Sequence, residues 1–315
     1  FYERLEETLL GGTIGGDDYY RALAAGSLDA PGGIVTAALD VGAYAGPWVL
    51  DEDLSQQKVF ASYAFDAAGV PAKITFQGYD ADWNSTDQVP QRAVEAGLID
   101  QFGFVDPDLG GQTERYLLTG SLDFGAWQVS GYALDYDFTL FSNFTYFLDD
   151  PVMGDEFEQR DRRRVYGAEV KGAMECEIAG RPLALGWGGS ARADDIAEAG
   201  LYGTAARVRT DIVRQDSVEE LSLGAWSEVE LAVTDKLRAI AGLRLDYFEW
   251  QVDAFRTANS GSGSDSLLSP KASIAYRLRD GLEGYLNWGI GFHSNDVRGA
   301  TITIDPVSAT SARRR

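Results

Sequence analysis

His293, Ser294 and Asp296 bring an imidazole, a hydroxyl and a carboxylate almost side by side, the residue types of a hydrolytic triad. A working triad holds its base between the nucleophile and an orienting acid, and it is assembled from distant parts of a fold. Close neighbours on one strand end do not meet that condition, so no catalytic residue is assigned. Cys176 is the only cysteine and His293 the only histidine, which excludes an intramolecular disulfide and leaves no Cys/His metal cluster or dyad. Asp80, Asp82 and Asn84 imitate the start of a calcium-binding loop, but the sixth position is Ser85 rather than glycine and the twelfth is Gln91 rather than glutamate. Gly11 to Gly16 lacks the Lys-Ser/Thr pair and the following helix of a phosphate-cradling loop, and reads as a flexible segment. Arg160, Arg162, Arg163 and Arg164 could attract an anionic ligand, or pair with Glu156, Glu158, Asp161 and neighbouring strand carboxylates; pairing is the favoured expectation.

Residues so placed need elements to hold them, and the composition says which kind. The chain has 36 glycines, 15 tyrosines, 15 phenylalanines and 7 tryptophans against 9 prolines and 2 methionines. Aromatic and β-branched side chains suit a pleated surface and glycine suits bends, so the expected class is all-β. With 49 acidic and 27 basic residues the net charge is −22, which argues against a nucleic-acid partner, because binding a polyanion needs clustered cations. No run of about 18 apolar residues exists for a membrane-crossing helix, but strands facing lipid on one side need only alternate apolar residues.

That alternation is present. From 126 to 140 the even positions are Tyr132, Leu134, Tyr136, Phe138 and Leu140, and the odd ones Gly131, Ala133, Asp135, Asp137 and Thr139. The period is two, over a length greater than a soluble strand usually has. Leu221, Leu223, Ala225, Val229 and Leu231 lead through Thr234-Asp235-Lys236 into Leu237, Ala239, Ala241, Leu243, Leu245 and Tyr247, with polar Glu228, Glu230, Arg238, Arg244 and Asp246 between them. Residues 270–279 and 282–293 form another hairpin across Arg279-Asp280-Gly281. Roughly a dozen strands are predicted, near 18–28, 34–45, 58–66, 72–80, 113–124, 126–140, 163–172, 182–192, 217–233, 237–252, 270–279 and 282–293. Short connections alternate with long ones at 46–57, 81–112, 141–162, 193–216 and 252–269, the asymmetry expected of an outer-membrane barrel. Trp48, Trp83, Tyr146, Phe147, Trp250 and Phe292 fall near predicted strand ends, where interfacial aromatic girdles would lie.

Four longer stretches are more specific. Residues 83–94 with Phe102-Gly103-Phe104-Val105-Asp106-Pro107 and Gly110-Gly111-Gln112-Thr113-Glu114-Arg115, then residues 149–163, then Leu268-Ser269-Pro270-Lys271, then Gly289 to Gly299, resemble in order the loops and late strands of TonB-dependent receptors. The resemblance implies a transmembrane antiparallel up-and-down β-barrel of about 22 strands in the complete family member, with long external loops, short periplasmic turns and an N-terminal plug. It also implies no enzymatic activity and no cofactor. Residues 1–315 are expected to be part of that barrel domain, without plug and closing strands, since no TonB-contacting segment is recognisable and the chain runs from Phe1 to Arg313-Arg314-Arg315.

The expected function is a receptor and transporter in the outer membrane of a Gram-negative bacterium, whose parent protein imports a scarce solute, a ferric siderophore or similar chelate. The expected partners are outer-membrane lipid and lipopolysaccharide, the TonB-ExbB-ExbD complex acting through the plug, and a small-molecule or metal-chelate ligand. Candidate ligand contacts on the external side are Trp83, Asp87, Gln88, Arg92, Arg162, Arg163, Tyr202, Trp250 and His293. The acidic stretch Asp149, Asp150, Asp155, Glu156 would be a solvated loop, or bridge through a divalent cation to lipopolysaccharide phosphates; no resident metal is assigned. Two other functions compete. A passive outer-membrane channel would have no plug, and a soluble all-β carbohydrate-binding protein would pack its apolar strand faces against a second sheet.

Overall fold

A computed structural model describes residues 4–292 and 297–306. Its thirteen strands are β1 (Leu9–Ile14), β2 (Tyr20–Ala30), β3 (Gly33–Tyr44), β4 (Leu54–Asp66), β5 (Pro71–Asn84), β6 (Gly110–Asp123), β7 (Trp127–Ser142), β8 (Phe157–Ile178), β9 (Arg181–Ala205), β10 (Val208–Ala232), β11 (Leu237–Ala254), β12 (Gly261–Arg279) and β13 (Leu282–Gly289). They form one antiparallel meander in which every strand pairs with its neighbours in the chain. Neither β1 nor β13 has a second partner among the described residues, so the sheet is not closed. Two short helices, α1 (Gln91–Glu95) and α2 (Arg298–Thr301), lie outside it.

At one end all connections are tight. Left-handed backbone at Gly32, Gly125 and Gly281 turns three of them, and Ala179-Gly180 forms a two-residue turn with positive φ at both positions. The other end carries the connections 45–53, 85–109, 143–156 and 255–260. The predicted loop 193–216 is instead strand: β9 and β10 run on and reverse at Ala206-Arg207, with φ of 51° and 60°. Register shifts at Arg209/Asp211, Ile212/Arg214 and Asp216/Val218 explain the misreading, since each bulge moves the pattern by one residue and erases its period of two. Likewise, β8 starts at Phe157, inside the predicted loop 141–162; β12 starts at Gly261 in a Gly/Ser-rich stretch; and residues 11–14 of the glycine segment read as flexible pair with β2 as part of β1.

The pairing register sorts side chains onto two faces. One row runs Ser27, Thr36, Ser62, Thr75, Thr119, Tyr132. The adjacent row, on the opposite face, runs Leu28, Val35, Tyr63, Ile74, Gly120, Gly131. Thr36 and Ser62 are 5% and 4% exposed, whereas Leu28 and Ile74 are 61% and 47% exposed. Polar groups sit inside the curve of the sheet and apolar ones outside it, the reverse of a protein that folds by taking apolar surface out of water. No second sheet covers the outward apolar face among the described residues.

The outward apolar runs have membrane dimensions. On β11 Leu237, Ala239, Ala241, Leu243, Leu245 and Tyr247 precede Glu249, matching the roughly 9–11 residues that a tilted strand needs to cross a bilayer. The inward face is polar and internally neutralised, with Arg192–Asp194 at 2.7 Å, Arg244–Asp246 at 2.6 Å, and Arg238 reaching Glu230 and Glu283 at 2.9 and 2.8 Å.

Two expectations about faces change. Tyr132, Leu134, Tyr136, Phe138 and Leu140 lie on the inward face, and the odd-numbered set lies outward, because the outward face of β7 is apolar only up to Ala133 and carries charge beyond it. The predicted aromatic girdle is also differently built. Trp48 packs on Phe102 within the loops (5.8 Å), Trp250 points inward, and Phe292 packs on inward-facing Phe248 (5.7 Å). Outward aromatic rings at the tight-turn end come instead from Trp127, stacked on Phe124 at 4.0 Å, and Trp187, both on one row through Gly172.

Candidate functional site

Three of the long connections, 45–53, 85–109 and 143–156, interlock with one another and with the β9–β10 tip. Asn143, 1% exposed, donates its amide N–H to the Asp87 carboxylate (2.8 Å) and its Nδ2 to Asp106 (2.8 Å), while its Oδ1 accepts the N–H of Tyr146 (2.7 Å). The Tyr146 hydroxyl donates to the carbonyl of Gln88. These bonds join the connections 85–109 and 143–156. Connection 45–53 is tied in by Val49 N–H to Phe102 O (3.0 Å) and by Asn84 N–H to Glu52 O (2.6 Å). From the β9–β10 tip, Arg207 donates to the carbonyls of Asp108 (2.5 Å) and Leu109 (2.7 Å) and to Asn84 Oδ1 (3.0 Å), with its guanidinium 5.5 Å from the Phe141 ring centroid. Buried backbone carbonyls need donors, and one planar guanidinium supplies several.

Beneath this cap lies a groove of about 780 Å³, reaching from Asp80, Asp82 and Trp83 on β5 through Glu114 and Arg160 to Arg209 on β10. Asp80, Asp82, Glu114 and Arg160 share the outward face of their strands, whereas Trp83, whose row runs through Gly111 to Leu140, is on the inward one. Trp83 fits because its neighbour is Gly111, where a Cβ would come 2.8 Å from the indole. The far wall is a chain of ion pairs. Arg160 pairs with Asp137; Arg209 grips Glu158 through two nitrogens (2.6 and 2.7 Å), lies 3.3 Å from Glu198, and stacks 3.6 Å from the Tyr202 ring centroid. Tyr202 donates its hydroxyl to Glu198 (2.5 Å); burial, then that carboxylate, push the phenol well above its ordinary pKa, so it stays protonated. Arg209 is held above its ordinary range by the hydrogen bonds to Glu158, so its guanidinium stays charged. On the near wall Asp80, Asp82 and Glu114 make no ion pair among the described residues, which leaves the groove acidic on one side and neutralised on the other.

The predicted contact residues do not converge on one place. Trp83 lines the groove, and Tyr202 is buried behind its arginine wall. Asp87 and Gln88 hold loops together, and Arg92 is exposed on α1. Strand alternation splits the arginine cluster: Arg162 and Arg164 point outward, and Arg163 points inward, bound to Asp161. Trp250 lies several strands away on the inward face, and His293 lies outside the described residues. The preference for ion pairing is met at Arg160, Arg163 and Arg164, the last through Asp135 at 2.9 Å. Asp80 and Asp82 occupy a strand, not a calcium loop.

Several residues carry this end without a sequence signal. Arg207, Arg209, Asp137 and Glu198 sit in stretches that read as loop or as one strand face, and only the register brings them together. Asn143 had a faint signal, an Asn just after an alternating run. Asp106, Asp108 and Glu156 bring carboxylate oxygens within 4.8 Å of one another, the one such group among the described residues. Hydrogen bonds already account for two of the three: Asp106 accepts from Asn143, and Glu156 from Thr204 Oγ1 (2.7 Å) and the Arg207 amide (2.9 Å).

Comparison with known proteins agrees with this architecture. No curated protein matches the chain in sequence. Among solved structures, the ferric citrate transporter FecA in its unliganded form superposes with a TM-score of 0.70 at 12% identity, covering 89% of this chain and 42% of FecA. The open form of the ferric-catecholate import receptor Fiu from E. coli K12 gives 0.67 at 10% identity over 91% and 55%. The siderophore receptor PiuA from Acinetobacter baumannii gives 0.62 at 12% over 90% and 49%. At such identities the likeness is one of fold, and the chain spans about half the length of these receptors. Residues 43–311 match the family described as "TonB dependent receptor-like, beta-barrel", whose members are transporters and not enzymes. An open antiparallel wall with an outward apolar band, tight turns at one end and an interlocked cap at the other therefore belongs to the TonB-dependent receptor β-barrel family.

Proposed function

We propose that this chain forms part of the wall and external cap of an outer-membrane receptor in a Gram-negative bacterium, and that the whole protein imports a scarce solute by a TonB-dependent route. The observation carrying the proposal is the inside-out sheet, apolar outward and ion-paired inward, capped at one end only by interlocked connections. A passive channel gains little from such a cap, whereas a receptor gains a preorganised surface, since ordering loops before binding lowers the cost of capture. The fold shared with ferric citrate, ferric-catecholate and siderophore receptors supports a ferric chelate as the solute class. The TonB-ExbB-ExbD complex, acting through a plug, would supply the energy.

Growth of an outer-membrane-competent host on ferric chelates as sole iron source, with and without the full-length gene, tests this reading. Gene-dependent growth that disappears when TonB is deleted is the expected result. Uptake that persists without TonB would instead identify a passive channel, and a protein recovered from the soluble fraction would overturn the membrane assignment.

A further inference from the structure

Connection 143–156 exposes apolar side chains where a loop stabilised by its own packing would bury them. Phe147, Leu148, Val152 and Met153 are 53–83% exposed. They share one compact turn, closed by Asp155 N–H to Tyr146 O (2.6 Å) and Gly154 N–H to Asp150 O (3.0 Å). Carboxylates fix that turn: Asp155 accepts the amides of Leu148 (2.8 Å), Asp149 (3.1 Å) and Asp150 (2.7 Å), and Asp150 those of Val152 and Met153 (2.9 Å each). Asn143 and the Tyr146 hydroxyl fasten its base to connection 85–109. The four side chains are therefore held out in a fixed arrangement without packing on a core of their own. An exposed apolar cluster marks a contact surface, and one that is ordered beforehand loses less entropy on association.

The surroundings of the cluster define what would cover it. Connections 45–53, 85–109 and 143–156 hold twelve carboxylates and one cation, Arg92, so half of the net charge of −22 lies in them. None of the twelve makes an ion pair among the described residues, and the carboxylates of Asp150 and Asp155 are bound by neutral amides that leave their charge in place. An apolar knob in such an acidic field is repelled by an anionic lipid surface, and an uncharged apolar partner gains nothing from the acids. A polypeptide with apolar residues at its centre and Lys or Arg at its rim complements both features.

We propose that connection 143–156 is a docking knob for a cationic amphipathic polypeptide outside the cell, a partner distinct from the transported solute. Its external placement rests on the membrane orientation proposed above, whereas the surface itself rests on the exposed side chains and the charge around them.

Full-length protein in discs of zwitterionic lipid is titrated with a labelled lysine/leucine amphipathic peptide, with binding to empty discs subtracted. A lysine/serine peptide and a glutamate/leucine peptide are the comparisons. The expected result is saturable binding of the lysine/leucine peptide, about tenfold tighter than either comparison and weakened as salt rises from about 0.05 to about 0.5 M. Phe147→Ser/Leu148→Ser/Val152→Ser should lose about tenfold in affinity, and Asp51→Asn/Asp149→Asn about threefold, at low salt only. Hydrogen exchange at Asp150 and Met153 matching the wild type shows that the serine variant keeps its turn. Wild-type affinity in that variant, or equal affinity for the acidic peptide, overturns the proposal. Absence of saturable binding by the unsubstituted protein, as when another segment of the chain already covers the knob, overturns it too. Orientation is read separately from Leu98→Cys on the neighbouring connection, where Leu98 is exposed. A membrane-impermeant maleimide should label it on intact cells. Labelling only after lysis overturns the external placement, and the membrane orientation with it, whatever the peptide shows.

Discussion

Replacing Leu118 with arginine tests the orientation of the wall more sharply than any loop substitution. Leu118 lies on the outward face of β6, 50% exposed, in one row with Phe76 and Ala133. It is four positions from Leu122 at the tight-turn side and four from Glu114, where the outward face becomes charged, so it sits near the middle of the band. Thr119, the next residue, lies on the inward face at the same depth, between Thr75 and Tyr132. An arginine at the bilayer midplane costs about 2–4 kcal/mol, whereas lumen-facing substitutions escape that penalty. Leu118→Arg should therefore lower the folding equilibrium constant by about 30- to 900-fold, and Thr119→Arg by well under half of that free energy. Reversible denaturant titration of full-length protein in phospholipid vesicles, followed by tryptophan fluorescence, measures both. Equal costs for the two variants, or a larger cost for Thr119→Arg, would refute the assignment of lipid and lumen faces.

Three further outcomes follow from the cap and the turns. Asn143→Ala leaves the Asp106 carboxylate and the Tyr146 amide without their partner, a cost of about 1–3 kcal/mol. Limited proteolysis should then speed up in both 85–109 and 143–156, and acceleration in only one would show that Asn143 does not couple them. Backbone N–H groups of Met153 and Val152 hold the Asp150 carboxyl below its usual range; at Asp155 burial works the other way but is outweighed by the amides of Asp150, Asp149 and Leu148. Because both values are depressed in the folded state, their stabilisation is fully present above the ordinary aspartate pKa of about 3.9 and is lost as pH falls through the folded values. Hydrogen-exchange protection at Val152 and Met153, normalised for intrinsic rates, should stay flat from neutral pH to about 5 and drop below about 4; a drop already at neutral pH would contradict the carboxylate assignment. Gly281→Val forces a β-branched residue into φ of 78°, costing about 1–2 kcal/mol at the β12–β13 hairpin, visible as a lower denaturation midpoint that Asp280→Asn does not reproduce.

The amino-acid sequence by itself determined the period of two, the tight turns and the family, because alternation and turn chemistry are local and every strand pairs with its sequence neighbours. Runs such as Leu237 to Tyr247 carry their register in plain view, and Gly281 marks its own turn. Which face meets lipid was not legible from β7, where Tyr132 to Leu140 form the more hydrophobic set yet point inward, because facing is decided by neighbours on β6 and β8 and by depth in the bilayer. Bulges hid the outer reaches of β9 and β10, and with them the tip that carries Arg207. The cap was least legible of all. Asn143 meets Asp87 and Asp106, and Arg207 meets Asn84, across many intervening residues, and hydrogen bonds of that separation have no local pattern. Only the tertiary structure decided that Arg162 and Arg164 share an outward wall while Arg163 turns away, since a one-residue step along a strand reverses the face and register alone says which partner each residue meets.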